Sequence, residues 1–257
     1  MIKCAVLGSP ISHSLSPLLH RTAYEELEIE GSYEAIEINE ETFGSFFEKA
    51  KGENWTGFSL TMPLKELAYL SADSSDELVK KITSANTLLN VGGKWVALST
   101  DLLAFKSLID VDKSARVGLI GTGGTARAAL GALSGDVPSV DVFLRSSKRL
   151  DALKMAAGDT KLNIKEMDQI SNNYDLLIST TPAGVLDSYV DKLAGGQGTF
   201  FEVLYKPWPT KAVSAWNGKI ISGLDLLVEQ AMYQITFMTG QDFNYHMMRG
   251  RLLTVAK

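Results

Sequence analysis

Hydrophobic positions recur along this chain with two different periods, and these periods predict its secondary structure. In the first half, short apolar runs bounded by turn-forming residues indicate strands at residues 2–7, 33–38 and 57–60. Apolar residues repeated every three or four positions indicate helices at residues 16–27, 42–50 and 64–70. Strand-like segments at residues 87–90 and 94–98 flank Gly92 and Gly93, which predicts a hairpin.

The second half of the chain carries apolar runs that predict buried strands. These runs lie at residues 115–120, 140–144, 174–179, 199–204 and 220–221. Helical spacing predicts helices at residues 126–133, at residues 149–157 and from Leu224 onward. An alternating order of strand and helix is typical of a parallel, doubly wound sheet.

No repeat, low-complexity tract or linker-like stretch separates the two halves, so the domain boundary is expected inside helices. A helix at residues 101–109 is expected to leave the first domain, and the helix from Leu224 is expected to return to it. The predicted fold class is therefore α/β with two domains. In this prediction, residues 1–100 and 224–257 form an N-terminal α/β domain, and residues 101–223 form a Rossmann-like, doubly wound domain.

Composition restricts the class of protein. Of the 257 residues, 45% are hydrophobic and 21% are charged, which is typical of a globular protein. The formal net charge of −5 argues against binding to nucleic acid or to an anionic membrane surface. Cys4 is the single cysteine, so an internal disulfide and a cysteine-rich metal site are excluded. No signal peptide or membrane-length apolar run is visible, and a soluble, cytoplasmic protein is expected.

The three histidines give no indication of a metal site. His13, His20 and His246 lack the spacing of metal ligands, so no metal is expected. His20 falls within the first predicted helix, where a packing or surface role is expected rather than a ligand role.

A glycine-rich loop follows the strand at residues 115–120 and opens the next helix. Its pattern is Gly121-x-Gly123-Gly124-x-Ala126, with Thr122 and Thr125 at the variable positions. Glycines let the backbone approach a pyrophosphate, which the amides and the dipole of the helix N-terminus attract. A glycine-rich turn without a ligand is the alternative, but the strand–loop–helix context favours a dinucleotide cofactor.

The end of the next strand discriminates between NAD and NADP. An NAD site carries Asp or Glu about 20 residues after the glycine loop, where it bonds the ribose 2′-hydroxyl. Here the strand at residues 140–144 is followed by Arg145, Ser146, Ser147, Lys148 and Arg149. These cations and hydroxyls suit a 2′-phosphate, whereas a solvated basic turn would oppose the dipole of the following helix. We therefore predict NADP(H) as the cofactor.

Lys65 and Asp101 are the candidate acid–base residues. Lys65 follows Pro63 near a helix start, where the helix dipole disfavours a cation, although a surface lysine is the ordinary alternative. Asp101 begins a helix, where a simple N-cap is the ordinary role of an aspartate. If the two side chains meet, they can relay a proton from a substrate hydroxyl while hydride leaves the same carbon.

Neutral hydrogen-bonding residues accompany this pair. Ser14 and Ser16 frame a polar corner, in which Ser16 is also the expected N-cap of a helix with Pro17 at its first position. Further neutral donors and acceptors are Thr61, Asn86, Tyr205 and Gln230. Such a set suits a small molecule with many hydroxyls.

Taken together, these motifs resemble those of the shikimate dehydrogenases through nearly the whole chain. The segments are GSPISHSLSP at residues 8–17, GFSLTMPLK at 57–65, SANTL at 84–88, STD at 99–101, GTGGTAR at 121–127, RSxxR at 145–149, DLLISTTPAG at 175–184 and GLDLLVEQA at 223–231. So many motifs in one order make a chance resemblance very improbable.

The resemblance implies reversible reduction of 3-dehydroshikimate to shikimate with NADPH, in aromatic amino-acid (chorismate) biosynthesis. It implies that residues 1–100 and 224–257 bind the substrate, that residues 101–223 bind NADP, and that the active site lies in a cleft between the domains. Lys65 and Asp101 are the implied catalytic pair. The implied substrate-binding residues are Ser14, Ser16, Thr61, Lys65, Asn86, Asp101, Tyr205 and Gln230. The implied cofactor-binding residues are Gly121, Thr122, Gly123, Gly124, Thr125, Ala126, Arg145, Ser146, Arg149, Thr180 and Gly223. A monomer or homodimer is expected.

Two positions depart from the pattern of the family. Ser59 and Ser99 stand where the family usually has asparagine, in Asn-Val-Thr and in Asn-Thr-Asp. If those amides fix the catalytic pair, its geometry is expected to be looser here or supported by water. These two changes leave open a catalytically silent NADP-binding paralogue, although the intact Lys65 and Asp101 argue against it. The other alternative is an NAD(P)-dependent quinate/shikimate dehydrogenase, and Arg145 without a nearby carboxylate argues against the use of NAD.

Overall fold

The computed structural model describes residues 1–257, which divide into two compact units. The first unit contains Met1–Ala104 and Leu227–Lys257, and the second contains Phe105–Leu226. The chain passes between the units within two helices, Thr100–Leu108 and Gly223–Thr239. None of the helices combines the length and the apolar character that crossing a membrane requires.

Strands and helices alternate through both units. The strands are β1 Ile2–Gly8, β2 Gly31–Glu37, β3 Gly57–Leu60, β4 Ser74–Ser75, β5 Thr87–Val91, β6 Lys94–Leu98, β7 Val117–Ile120, β8 Ser139–Leu144, β9 Lys161–Glu166, β10 Leu176–Ser179, β11 Thr199–Glu202 and β12 Ile220–Ser222. The helices are α1 Ser16–Glu26, α2 Glu40–Ala50, α3 Lys65–Ser71, α4 Glu77–Ile82, α5 Thr100–Leu108, α6 Gly124–Leu133, α7 Leu150–Ala157, α8 Val190–Leu193, α9 Lys211–Ala215, α10 Gly223–Thr239 and α11 Tyr245–Val255.

The sheet of the first unit is mixed. Its strand order is β2-β1-β3-β5-β6-β4, with β1 parallel to β2 and β3 and with β5 antiparallel to β3 and β6. An aromatic core packs on this sheet, in which Phe58 stacks on Trp95 with 5.2 Å between ring centroids. A second core joins α1, α10 and α11 through Leu19, Ile235 and Leu252. Because β1 and β3 are parallel neighbours, the loops that follow them meet at one edge of the sheet.

The sheet of the second unit is parallel throughout. Its strand order is β12-β11-β10-β7-β8-β9, and every neighbouring pair is parallel. This is the order of a doubly wound dinucleotide-binding fold, so the predicted fold class is confirmed. The order reverses between β7 and β10, and the loops after these two strands therefore flank the crevice where such folds bind ligands.

The starts of two helices differ from their predictions. Ser16 is not the N-cap of α1, because Leu15 already has helical angles (φ −84°, ψ −6°) and Ser16 is the first helical residue. Ser14 Oγ instead accepts the Ser16 N–H at 3.3 Å. Asp101 is not the N-cap of α5 either, since Ser99 Oγ accepts the Leu102 N–H at 3.3 Å. Asp101 lies inside the first turn of α5, which leaves its carboxylate free for other partners.

Candidate active site

The two candidate acid–base residues are in direct contact. Lys65 is the first residue of α3, and Asp101 lies in the first turn of α5. Lys65 Nζ donates to Asp101 Oδ2 at 2.5 Å, and the two side chains are 18% and 9% exposed. The pair is thus largely withdrawn from water but still accessible on the lysine side. A bound hydroxyl that reaches this pair can exchange a proton with it.

Asn86 fixes the orientation of the Asp101 carboxylate. Asn86 Nδ2 donates to Asp101 Oδ1 at 2.9 Å and lies 2.8 Å from Thr100 Oγ1. Asn86 Oδ1 accepts the Thr100 N–H at 2.7 Å, so both ends of the amide are engaged with the start of α5. Gln230 Oε1, on α10, lies 3.1 Å from the same Nδ2. Asp101 is therefore held by Asn86 through one oxygen and by Lys65 through the other.

Ser14 and Thr61 lie in the loops that follow β1 and β3, and Ser16 is the first residue of α1, directly after the first of these loops. Thr61 N donates to Leu7 O at 2.9 Å, which ties the end of β3 to the end of β1. Gly8 permits this approach, because a Cβ at that position would lie 2.4 Å from Thr61 Cγ2. These three hydroxyl residues therefore belong to the same sheet edge as the loop that delivers Lys65.

Tyr205 belongs to a different unit from the other candidate substrate residues. It lies in the second unit, in the segment after β11, whereas Ser14, Ser16, Thr61, Lys65, Asn86, Asp101 and Gln230 all belong to the first. Burial raises the pKa of the Tyr205 phenol, so this side chain is a neutral hydrogen-bonding group.

The glycine loop of the second unit lies at the point where the strand order reverses. Gly121 follows β7 with φ +115°, and a Cβ there would lie 2.3 Å from Thr180 Oγ1. Thr180 follows β10, and its hydroxyl donates to Ile120 O at 2.9 Å. Thr180 and the glycine loop thus meet directly, and only glycine fits at position 121.

The residues after Gly121 form the start of a ten-residue helix, α6. Thr122 lies between Gly121 and the N-cap Gly123, and Gly124, Thr125 and Ala126 are the first residues of the helix. Gly123 provides no side-chain cap, and nothing lies within 4 Å of the Cβ that it lacks. The space beside Gly123 at the helix start is therefore open, which fits the pyrophosphate of a dinucleotide.

Gly223 provides a second close approach in the same unit. It begins α10 directly after β12, and a Cβ there would lie 2.1 Å from Val203 O. Its N–H donates to Leu204 O at 3.3 Å. The glycine thereby brings the start of α10 against the segment that leads to Tyr205.

The segment after β8 exposes a group of cations. Arg145, Ser146 and Arg149 are exposed, and Ser146 Oγ accepts the Lys148 N–H at 3.4 Å to begin a short turn, Ser147–Arg149. The carboxylate within β8, Asp141, is engaged elsewhere, at 2.8 Å from Tyr174 Oη and 2.9 Å from Lys165 Nζ. The end of β8 therefore offers positive charge without a carboxylate, which fits a 2′-phosphate.

A cluster of buried polar residues next to Asn86 was not predicted from the sequence. Gln234 lies one helical turn after Gln230 on α10, and it contacts Ser59 Oγ, Thr87 Oγ1 and Asn86 O. The signal was a glutamine four residues after another glutamine, because positions i and i+4 share one face of a helix. Ser59 is part of this cluster, and Ser99 caps α5. With serine at both positions, Lys65 and Asp101 are still in contact.

His20 belongs to the same cluster of buried polar residues, and its imidazole ring is neutral. It is fully buried in α1, stacks on Tyr33 with 3.9 Å between centroids, and lies 3.3 Å from Gln234 Oε1. Burial lowers the pKa of His20 to about 3. Of the two roles expected for His20, packing and surface, the structure shows packing.

Replacing Glu202 by glutamine is expected to change how stability depends on pH. Glu202 ends β11 almost fully buried, and burial raises its pKa from the ordinary 4.5 to about 7. Its carboxyl contributes stability that is complete below pH 4.5 and is lost as pH rises through 7. Since one unit of pKa shift is about 1.4 kcal/mol, the unfolding free energy of Glu202→Gln relative to wild type should rise by about 3 kcal/mol over this range.

Urea unfolding of both proteins across this pH range measures the effect. The buried His20 acts in the opposite direction, because its contribution to stability is lost as pH falls from 6.5 towards 3. Both proteins share this contribution, so the difference between their unfolding free energies isolates the effect of Glu202. Asp151→Asn is the matched control, since the Asp151 side chain is fully exposed. Parallel pH curves for Glu202→Gln and wild type would contradict the expectation.

Comparison with known proteins agrees with this geometry. Residues 6–88 match the family model of the shikimate dehydrogenase substrate binding domain. The shikimate dehydrogenase (NADP(+)) of Ignicoccus hospitalis is 32% identical over 237 residues, which cover 89% of each chain. The crystal structure of Mycobacterium tuberculosis shikimate dehydrogenase is 31% identical, with a TM-score of 0.88 over 99% of this chain and 100% of that one.

A third relative was solved with ligands. Shikimate 5-dehydrogenase from Thermus thermophilus, in complex with NADP(H) and shikimate, is 28% identical, with a TM-score of 0.83 over 99% of this chain and 100% of that one. Two of these relatives are more than 30% identical to this chain, and the matched regions cover most of each chain. The chain also shares the fold of the solved relative, and its Lys65 and Asp101 are in contact. The chain therefore belongs to the shikimate dehydrogenase family.

Proposed function

We propose that this protein catalyses the reversible, NADP-dependent reduction of 3-dehydroshikimate to shikimate, a step of aromatic amino-acid biosynthesis. The observation that carries the proposal is the 2.5 Å contact between Lys65 Nζ and Asp101 Oδ2. It occurs in the unit that contains residues 6–88, the segment matched to the shikimate dehydrogenase substrate binding domain. In this proposal the first unit binds the substrate and the second binds NADP(H).

The hydroxyl and amide groups of the first unit suit the chemistry of shikimate, which carries three hydroxyls and one carboxylate. Asn86 and Gln230 lie beside the catalytic pair, so we assign them to the ring hydroxyls. Ser14, Ser16 and Thr61 supply hydroxyl donors at the neighbouring sheet edge, and Tyr205 is assigned to the carboxylate. Neutral donors hold such a substrate without the cost of burying further charge.

The second unit fits NADP(H) at two points. The backbone of residues 121–126 would hold the pyrophosphate, together with Thr180 and Gly223, and Arg145, Ser146 and Arg149 would hold the 2′-phosphate. When bound, the nicotinamide supplies the hydride for carbonyl reduction and accepts it in the reverse direction. The absence of a carboxylate at the end of β8 favours NADP(H) over NAD(H).

The residues of this chain manage the proton. In the reductive direction, the Lys65 ammonium donates a proton to the oxygen that becomes a hydroxyl. Asp101 accepts the Lys65 hydrogen bond and stabilises its positive charge, and Asn86 keeps the second carboxylate oxygen occupied. In the oxidative direction, the same pair removes the proton from the substrate hydroxyl. A cytoplasmic location and a monomeric or homodimeric state complete the proposal.

Absorbance at the reduced-nicotinamide band tests this function directly. Purified protein is expected to form NADPH from shikimate and NADP⁺, and to turn over more slowly with NAD⁺ or with quinate. Absence of turnover with every pair, in protein shown to be folded by circular dichroism, would overturn the proposal. Equal rates with NAD⁺ and NADP⁺ would overturn the cofactor assignment alone.

A further inference from the structure

The amide of Gln234 uses all of its hydrogen-bonding capacity inside the first unit. Its Nε2 lies 3.1 Å from Asn86 O and 2.8 Å from Thr87 Oγ1. Its Oε1 accepts from Ser59 Oγ at 2.8 Å and lies 3.3 Å from His20 Nε2. A side-chain amide has two N–H donors and two acceptor lone pairs, so both ends of this fully buried group are satisfied.

A chain of hydrogen bonds connects this amide with the catalytic pair. Tyr33 Oη donates to Ser59 Oγ at 2.5 Å, and Ser59 Oγ donates to Gln234 Oε1. Gln234 then holds the backbone carbonyl of Asn86, whose own side chain holds Asp101. The position of the Asp101 carboxylate thus depends on residues of α10 and β3 that do not touch it.

Packing alone does not account for a polar group at this position. An apolar side chain of similar size fills the same volume but leaves the hydroxyls of Ser59 and Thr87 without their amide partner. Buried polar networks that are fully satisfied hold their members in one arrangement. Catalysis by a Lys–Asp pair requires such an arrangement, because a misplacement of about 1 Å lowers rates about a hundredfold.

We propose that Gln234 is a positioning residue for this reaction, which holds Asn86 from behind and thereby sets the orientation of Asp101 toward Lys65. The inference rests on the proposed function. It also assigns a role to Ser59, whose short side chain leaves room for the Gln234 amide beside β5. Ser59 lies directly opposite Thr87 across the β3–β5 pair, so a longer amide at position 59 can reach the same groups.

Gln234→Met tests the proposal, because methionine keeps the volume and removes the hydrogen bonds. We expect kcat for shikimate oxidation to fall by about 10- to 100-fold, with KM for shikimate and NADP⁺ changing by less than about threefold. Ile235→Ala is the control for stability, since Ile235 is equally buried on α10 but belongs to the apolar core. It is expected to lower the melting temperature and to leave kcat unchanged.

Rescue by position 59 provides the second test. Gln234→Ala is expected to lower kcat. Adding Ser59→Asn to that variant should raise kcat again by at least about tenfold. A Gln234→Met enzyme with wild-type kcat, or one that loses only stability, would overturn the positioning role. Failure of Ser59→Asn to restore activity would overturn the shared role of positions 59 and 234. A folded wild-type protein without shikimate turnover would overturn the proposed function itself and, with it, this inference.

Discussion

Lys65→Ala is expected to lower the turnover of shikimate by about 10²- to 10⁴-fold, the usual contribution of a general acid–base residue. The substitution removes the ammonium that contacts Asp101 Oδ2 at 2.5 Å, so no group at that position can transfer the proton. Affinity for shikimate should change only modestly, because Asn86 and Gln230 keep their contacts with each other. Steady-state absorbance measures kcat, and calorimetric titration with shikimate measures affinity.

Lys80→Ala is the matched control for this substitution. Lys80 is a half-exposed lysine of the same unit, paired with Glu77 at 2.6 Å, and its removal should leave turnover unchanged. Turnover of Lys65→Ala within about threefold of wild type would show that Lys65 is not the catalytic group. A large loss of affinity with unchanged kcat would instead assign Lys65 to uniform substrate binding.

Local sequence signals predicted the elements that carry the proposed catalytic pair. The strand at residues 57–60 has the predicted bounds, and the hairpin of β5 and β6 forms around Gly92 and Gly93, whose φ angles are +61° and +86°. Positive φ angles at both turn residues are what adjacent glycines supply. Motif spacing therefore identified the segments that carry Lys65, Asn86 and Asp101.

Elements with weak local patterns were missed. In β9, the polar residues Lys161, Asn163 and Lys165 alternate with other residues, and the strand lies at the edge of its sheet. Polar and charged side chains are ordinary on an edge strand, and in the sequence such a segment resembles a loop. The helix α4 spans six residues, too few for its period to be recognised, although Asp76 caps it by accepting the Val79 N–H at 2.7 Å.

The contacts within the site required the fold. Gln234 lies 175 residues after Ser59, and no local pattern connects a glutamine in an apolar helix with a serine in a strand. The sequence likewise identified Lys65 and Asp101 without establishing that they meet. Residue types and motif order thus predicted the candidate chemistry, whereas the partners of each side chain depend on which elements pack together.

Arg145→Ala is expected to raise KM for NADPH by about 10- to 100-fold and to leave KM for NADH nearly unchanged. Hydrogen bonds to a charged group contribute about 1.5–3 kcal/mol, and a guanidinium can donate two of them to one phosphate. Because Arg145 is exposed, its truncation leaves the core of the second unit intact. Initial rates with each cofactor at saturating 3-dehydroshikimate measure the preference of enzyme and variant.

Lys148→Ala separates a specific phosphate contact from a general effect of charge. It removes one positive charge from the same exposed turn, at a residue that is not among the three assigned to the 2′-phosphate, Arg145, Ser146 and Arg149. A diffuse electrostatic attraction would weaken similarly in both variants, since exposed charges a few residues apart act on an approaching anion almost equally. A directional contact requires Arg145→Ala to reduce the NADPH/NADH preference much more than Lys148→Ala does, and an unchanged preference in Arg145→Ala would contradict the assignment of Arg145 to the 2′-phosphate.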